Sequence, residues 1–131
     1  MALKANMKIL AIDSDSTARQ NLKNILKSLG LKNIKEATNA DEALSALKKE
    51  ASEDEPIEFI ICENDLPEKS GLDVLAHVRE DNHKKTPFLM VMNNSDQQTV
   101  LKVVKAGVNN VMVKPYSGEV LKEKIAKIFN Q

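Results

Sequence analysis

The chain has 131 residues, a formal net charge of zero, 42% hydrophobic residues and one cysteine. That length suits one domain with a real core and is short for two, so a single domain over residues 1–131 is expected. The composition excludes a disordered or fibrous chain, and no apolar run approaches the roughly 20 residues that span a bilayer. No disulfide can close within the chain, which makes a reducing cytoplasm the expected compartment.

Two periodicities alternate along the chain. A short apolar run, Met7–Ile12, reads as a first strand; its core Ile9-Leu10-Ala11-Ile12 is too short for a signal-peptide segment. Leu22, Ile25, Leu26 and Leu29 then follow helical spacing, and Gly30 stops that helix. A weaker strand at Asn33–Ala37 precedes a second helical pattern at Ala40, Ala43, Leu44 and Leu47. The acidic stretch Glu50–Pro56 reads as a solvated loop. Ile57–Cys62 is a third strand, and Leu72, Leu75 and Val78 a third helix capped by Ser70. Phe88–Met92 gives a fourth strand, and Val100, Val103 and Val104 a fourth helix, led by Ser95-Asp96 and closed by Gly107. Asn110–Val113 and then Val120, Leu121, Ile125 and Ile128, capped by Ser117, complete the pattern. Continuous apolar strands alternating with helices predict an α/β fold with a parallel sheet covered on both faces.

Ligands of such sheets bind outside the carboxyl ends of the strands. Asp13, Glu63, Met92 and Lys114 all fall at that edge. Two acids and a lysine there suit either a divalent cation with a phosphoryl group or a buried lysine–carboxylate pair with no ligand. Spacing leaves both readings open. Met90 and Met112 read as core, Cys62 as a buried structural thiol, and His77 and His83 as surface residues without metal-ligand spacing.

Three pieces carry a resemblance over nearly the whole chain: Ile12-Asp13-Ser14-Asp15-Ser16, Glu63-x-x-Leu66-Pro67-x-x-x-Gly71, and Lys114-Pro115-Tyr116, with Ala106-Gly107 before the last strand. In this order they resemble a CheY-like response-regulator receiver domain. The resemblance implies a doubly wound (βα)5, flavodoxin-like fold with strand order 2-1-3-4-5. It also implies an aspartate phosphorylated by a histidine kinase at the end of strand three and an acid pair after strand one that binds Mg²⁺. A Thr or Ser ending strand four and the lysine contact the phosphoryl group, and an aromatic on strand five relays the change. Here Glu63 stands at the phosphoacceptor position, and Ser14 replaces the second acid beside Asp13. Met92 replaces the Thr/Ser and Val111 the switching aromatic. Lys114 fits fully, with a cis bond expected before Pro115.

Glu63 displaces its oxygens by about one C–C bond, roughly 1.5 Å, and Met92 offers phosphate no hydrogen bond. Asp13 and Glu63 are weak candidate metal ligands, with Asp15 a substitute for the missing acid that more often caps the first helix or faces solvent; no cofactor is expected, and any Mg²⁺ site would be weak. Glu63 can instead reach Lys114 and hold the strand ends closed. The expected function is a degenerate receiver that binds a protein partner, a histidine kinase or a separate effector, independently of aspartyl phosphorylation. The first alternative is a Mg²⁺-dependent phosphoacceptor on Glu63; a second is a small-ligand sensor that reuses the vacated site. From Lys84 onward there are 8 Lys+Arg against 3 Asp+Glu, and before it 11 against 16. The partner face is accordingly placed on the fourth helix, fifth strand and fifth helix, at Lys102, Lys105, Tyr116, Lys122, Lys124 and Lys127, facing an acidic partner. Tyr116 equally fits a half-buried aromatic at a strand end. The basic region is too dilute and too poor in aromatics for nucleic acid, and no membrane contact is expected.

Overall fold

The computed structural model describes residues 4–52, 55–80, 85–93 and 96–130. Strands and helices alternate: β1 (Ile9–Ile12), α1 (Ser16–Ser28), β2 (Ile34–Ala37), α2 (Ala40–Ser52), β3 (Phe59–Glu63), α3 (Gly71–Glu80), β4 (Phe88–Met92), α4 (Gln97–Lys105), β5 (Asn110–Val113) and α5 (Gly118–Phe129). The sheet is parallel, in the order β2-β1-β3-β4-β5. This is the doubly wound architecture expected from the sequence.

Strand alternation sorts the core into two layers. Leu10, Ile12, Ile60, Cys62, Met90 and Met92 pack with α2, α3 and α4, whereas Ile9, Ala11, Phe59, Ile61 and Met112 pack with α1 and α5. β1, β3 and β4 are buried along their whole length, which is why they read as continuous apolar runs rather than alternating ones.

Helix ends follow the sequence signals. The Asp15 carboxylate accepts from the Thr17 amide, and Ser117 Oγ from the Val120 amide. Ser70 and Asp73 form a reciprocal capping box: Ser70 Oγ accepts from the Asp73 amide at 3.2 Å and the Asp73 carboxylate from the Ser70 amide at 2.9 Å. Asp96 caps α4 through the Gln98 amide; Ser95, expected to share that role, lies outside the described residues, as does His83. Gly30 (φ 85°) and Gly107 (φ 99°) terminate α1 and α4 in the left-handed region.

Two boundaries differ from expectation. β3 starts at Phe59 and extends one residue further than its apolar run, so that Glu63 pairs with Val91 and belongs to the sheet. The acidic stretch is not simply solvated. α2 runs on to Ser52, and Glu50 is buried, with Oε1 2.5 Å from the ammonium of an equally buried Lys8. Lys8 Nζ also donates to the Glu55 carbonyl at 2.9 Å, and Glu58 Oε1 accepts from the Lys8 amide at 3.1 Å. Glu53 and Asp54 lie outside the described residues. The charge at Lys8, inside an apolar run, was the visible sign that it needed a buried partner.

Candidate functional site: a lysine clamped by two carboxylates

β1 and β3 are neighbours, so their ends bring Asp13 and Glu63 side by side. β5 stands one strand further off, beyond β4. Adjacent strands lie about 4.8 Å apart, so a side chain from β5 must cross the end of β4 to reach β3. Lys114 is long enough. Its Nζ donates to Asp13 Oδ2 at 2.9 Å and to Glu63 Oε1 at 3.0 Å. Both carboxylates are buried, and the lysine side chain is 22% exposed. The Lys114-Pro115 bond is cis.

Asp13 is fixed at every polar atom. Its amide donates to the Ala37 carbonyl at 3.1 Å, and its Oδ1 accepts from the Asp15 amide at 2.9 Å. Its carbonyl accepts from Arg19 Nη1 at 2.8 Å, and its Oδ2 from Lys114. Glu63 is held less completely: Oε2 is buried with no hydrogen-bond partner among the described residues. Burial of that carboxyl raises its pKa, the nearby Asp13 raises it further, and Lys114 works against both. For Lys114 burial acts downward, but its hydrogen bonds to Asp13 and Glu63 prevail and the ammonium is held above its usual range.

The surroundings are apolar where a phosphoryl-binding hydroxyl is expected. Met92 is 3% exposed and packs in the α2–α3–α4 layer with Met90 and Val103. Val111 lies opposite Met90 in the ladder, half-buried against the same layer. Cys62 is wholly buried, its thiol donating to the Glu63 carbonyl at 3.3 Å, and burial followed by the Glu63 and Asp13 charges pushes its pKa far up, consistent with an inert thiol.

The donor set is thin for Mg²⁺, which takes near-octahedral oxygen coordination. Ser14 is exposed and brings no carboxylate, and the Asp15 carboxylate is turned to the α1 amides. Asp13 and Glu63 are both engaged by the same ammonium. Among the described residues no cluster of three or more metal-ligating side chains is placed to hold an ion.

The partner-face residues divide. Lys102 and Lys105 are exposed on α4 beside Leu101 and Val104, two large apolar residues each 54% exposed. On α5, Val120, Lys124 and Lys127 share one stripe, which faces β5 through a 3.4 Å contact between Lys124 Nζ and Asn110 Oδ1. Val113 adds exposed apolar surface on β5. Lys122 is different: it shares a stripe with Gly118, whose Cα faces Ile25 of α1. Tyr116 packs into the α1–α5 layer and lines a groove of about 370 Å³ with Ala18, Asn21, Lys114 and Pro115. The structure therefore moves Lys122 and Tyr116 to the α1 side, away from the α4 surface. Two residues important to the site escaped the sequence reading. Arg19 grips Asp13, and Asn64 Oδ1 accepts from the Leu72 amide to seat α3 on the end of β3. Neither has a local sequence signal.

A parallel sheet in this order, with two carboxylates and a lysine converging at its carboxyl edge, defines a receiver-type α/β domain. The chain belongs to the response regulator receiver domain family, whose model matches residues 9–126. It is 37% identical over 130 residues to chemotaxis protein CheY-3 of Vibrio cholerae, covering 98% of this chain and 96% of that protein. It is 38% identical over 126 residues to chemotaxis protein CheY of Pseudomonas aeruginosa, covering 95% and 98%. Among solved structures, Vibrio cholerae CheY4 superposes with a TM-score of 0.84 at 24% identity, covering 95% of this chain and 99% of that one. A CheX–CheY–BeF3–Mg²⁺ complex from Borrelia burgdorferi contains a chain with a TM-score of 0.85 at 20% identity, covering 94% and 89%. No helix among the described residues is long and apolar enough to cross a membrane.

Proposed function

We propose that this chain is a receiver-type signalling module of a chemotaxis or two-component pathway that acts by binding a protein partner without aspartyl phosphorylation. The clamp itself carries the reading: Lys114 Nζ lies 2.9 Å from Asp13 and 3.0 Å from Glu63, so a fixed carboxylate already engages the lysine. Several features support it. Glu63 Oε2, the oxygen not bound to lysine, has no appreciable accessible surface to present to a phosphodonor. Met92 supplies volume rather than a hydroxyl, and the second acid is missing at Ser14. The surface for the partner is the α4–β5–α5 face, where Leu101, Val104, Val113 and Val120 lie among Lys102, Lys105, Lys124 and Lys127. Exposed apolar area ringed by lysines suits an amphipathic, acidic partner.

The test is intact-mass analysis after incubation with acetyl phosphate and millimolar Mg²⁺. The protein is expected to gain no phosphoryl group. A Mg²⁺-dependent gain of one phosphoryl group that disappears in Glu63→Ala would make this chain a phosphoacceptor and overturn the reading.

A further inference from the structure

One side chain outside the clamp holds the backbone of its Asp13 arm. Arg19, on the first turns of α1, donates from Nη1 to the Asp13 carbonyl at 2.8 Å and from Nε to Glu36 Oε1 of β2 at 2.9 Å. The other Glu36 oxygen accepts from Lys23 Nζ, also of α1, at 2.9 Å. The Arg19 side chain is 16% exposed, so its guanidinium is held rather than sampling solvent. A planar guanidinium presents its donors in a fixed fork, and here two of them are used at once.

The Asp13 carbonyl follows directly on β1, where the ladder to β2 ends. Without a donor its peptide plane would be free to turn. The carboxylate of the same residue would then lose the alignment that directs Oδ1 to the Asp15 amide and Oδ2 to Lys114. We propose that Arg19 is a positioning residue that sets the Asp13 arm of the lysine clamp, with Glu36 orienting its guanidinium. This rests on the reading of the Lys114 site as a clamp, but not on whether that clamp excludes phosphorylation.

The sign of the effect separates positioning from plain electrostatics. Removing a nearby cation would, by itself, let Lys114 hold its proton more tightly and make it less nucleophilic. Loosening the Asp13 arm does the opposite and frees the amine. Lys114 acylation is therefore measured at fixed pH by peptide mass spectrometry, with Lys69, paired to Asp41 on a separate connection, as internal reference. Arg19→Ala is expected to speed Lys114 acylation about threefold, the equivalent of half a pKa unit. Asp13→Asn is expected to speed it more, and the Arg19→Ala/Asp13→Asn double variant to match Asp13→Asn alone, because Arg19 acts through Asp13. Arg19→Gln, which also removes the cation but keeps most of the side chain's length, should shift the rate the same way by less, and decides the matter if Arg19→Ala fails to fold. An unchanged or slower Lys114 rate in a folded Arg19→Ala protein would sink the proposal. So would an Arg19→Ala effect that persists undiminished in the Asp13→Asn background. A lowered melting temperature with Lys114 reactivity unmoved would reduce Arg19 to a structural residue. Phosphoryl uptake in the acetyl phosphate experiment would leave this result standing and change only the function assigned to the clamp.

Discussion

One methylene separates Glu63 from an aspartate, and the Lys114–Glu63 contact is where that length is expected to count. The carboxylate must meet an ammonium that has crossed the end of β4, and the extra C–C bond extends it by up to about 1.5 Å. Glu63→Asp should therefore open the Lys114–Glu63 contact while leaving two buried carboxylates facing each other. A hydrogen bond to a charged group contributes about 1.5–3 kcal/mol, and Lys114 is partly exposed, which moves the expectation below that range. Urea unfolding is expected to show Glu63→Asp less stable than the native chain by about 1 kcal/mol. An equally stable Glu63→Asp protein would mean that the pair contributes nothing to holding the strand ends. Met92 belongs to the same scale. Its thioether fills apolar volume in a layer made of Met90, Val103 and Cys62, so its role is legible as packing once its burial is known.

Elements are set by where helices may approach strands. α3 begins at Gly71, directly against the end of β3. A Cβ added there would meet the Glu63 carbonyl oxygen at 2.6 Å, Met90 Sδ at 2.8 Å and the Asn64 Cα at 2.9 Å. Two of those three atoms are backbone and cannot yield without moving the strand that presents Glu63. Gly71→Ala is accordingly expected to cost about 1–3 kcal/mol, read as a lowered urea midpoint at unchanged m-value. A Gly71→Ala protein as stable as the native chain would contradict the close approach. Much at this scale was legible beforehand. The strand runs, the Ser70, Ser117 and Asp96 caps and the Gly30 and Gly107 stops all depend on chemistry within one turn of chain. The parts that were not legible depend on distant partners. Lys122 and Lys124 are alike in sequence, but the α5 stripes separate them, and only the packing of α5 against α1 and β5 decides which stripe faces out. Arg19 carried no signal because its acceptors, Asp13 and Glu36, belong to two different strands.

At the scale of the whole molecule, a buried carboxylate sits at each edge of the sheet, Glu50 at the amino edge and Glu63 at the carboxyl edge, and the two respond to pH with opposite sign. At the amino edge, the hydrogen bond from Lys8 holds Glu50 below its ordinary value of 4.5. Two exposed carboxylates away from that edge shift the same way: Glu36 is lowered by Lys23 and Arg19, and Glu42, just past the carboxyl end of β2, by the Thr38 amide and hydroxyl. For these groups the unfolded chain binds the proton first. Their stabilisation is thus complete above about pH 4.5 and is lost as pH falls through their folded values. At the carboxyl edge, Glu63 is raised above 4.5 by burial and by Asp13. There the folded chain binds the proton first, and stability declines as pH rises from 4.5 through the folded value of Glu63. The stability curve should therefore climb through the acid range and then dip over the window above pH 4.5 in which Glu63 ionises. Urea unfolding between pH 3 and pH 7 resolves the two limbs. Glu50→Gln should flatten part of the acid climb and leave the dip, because Glu36 and Glu42 remain. Glu63→Gln should remove the dip and leave the climb. If Glu63→Gln left the pH dependence above 4.5 unchanged, burial would not be acting on that carboxylate, and the clamp would have to be an ordinary solvated ion pair. The opposition of the two limbs also gives the protein a physical reason to keep Lys114 charged. With the ammonium on Oε1, an ionised Glu63 remains tolerable in a site where its Oε2 has no hydrogen-bond partner among the described residues.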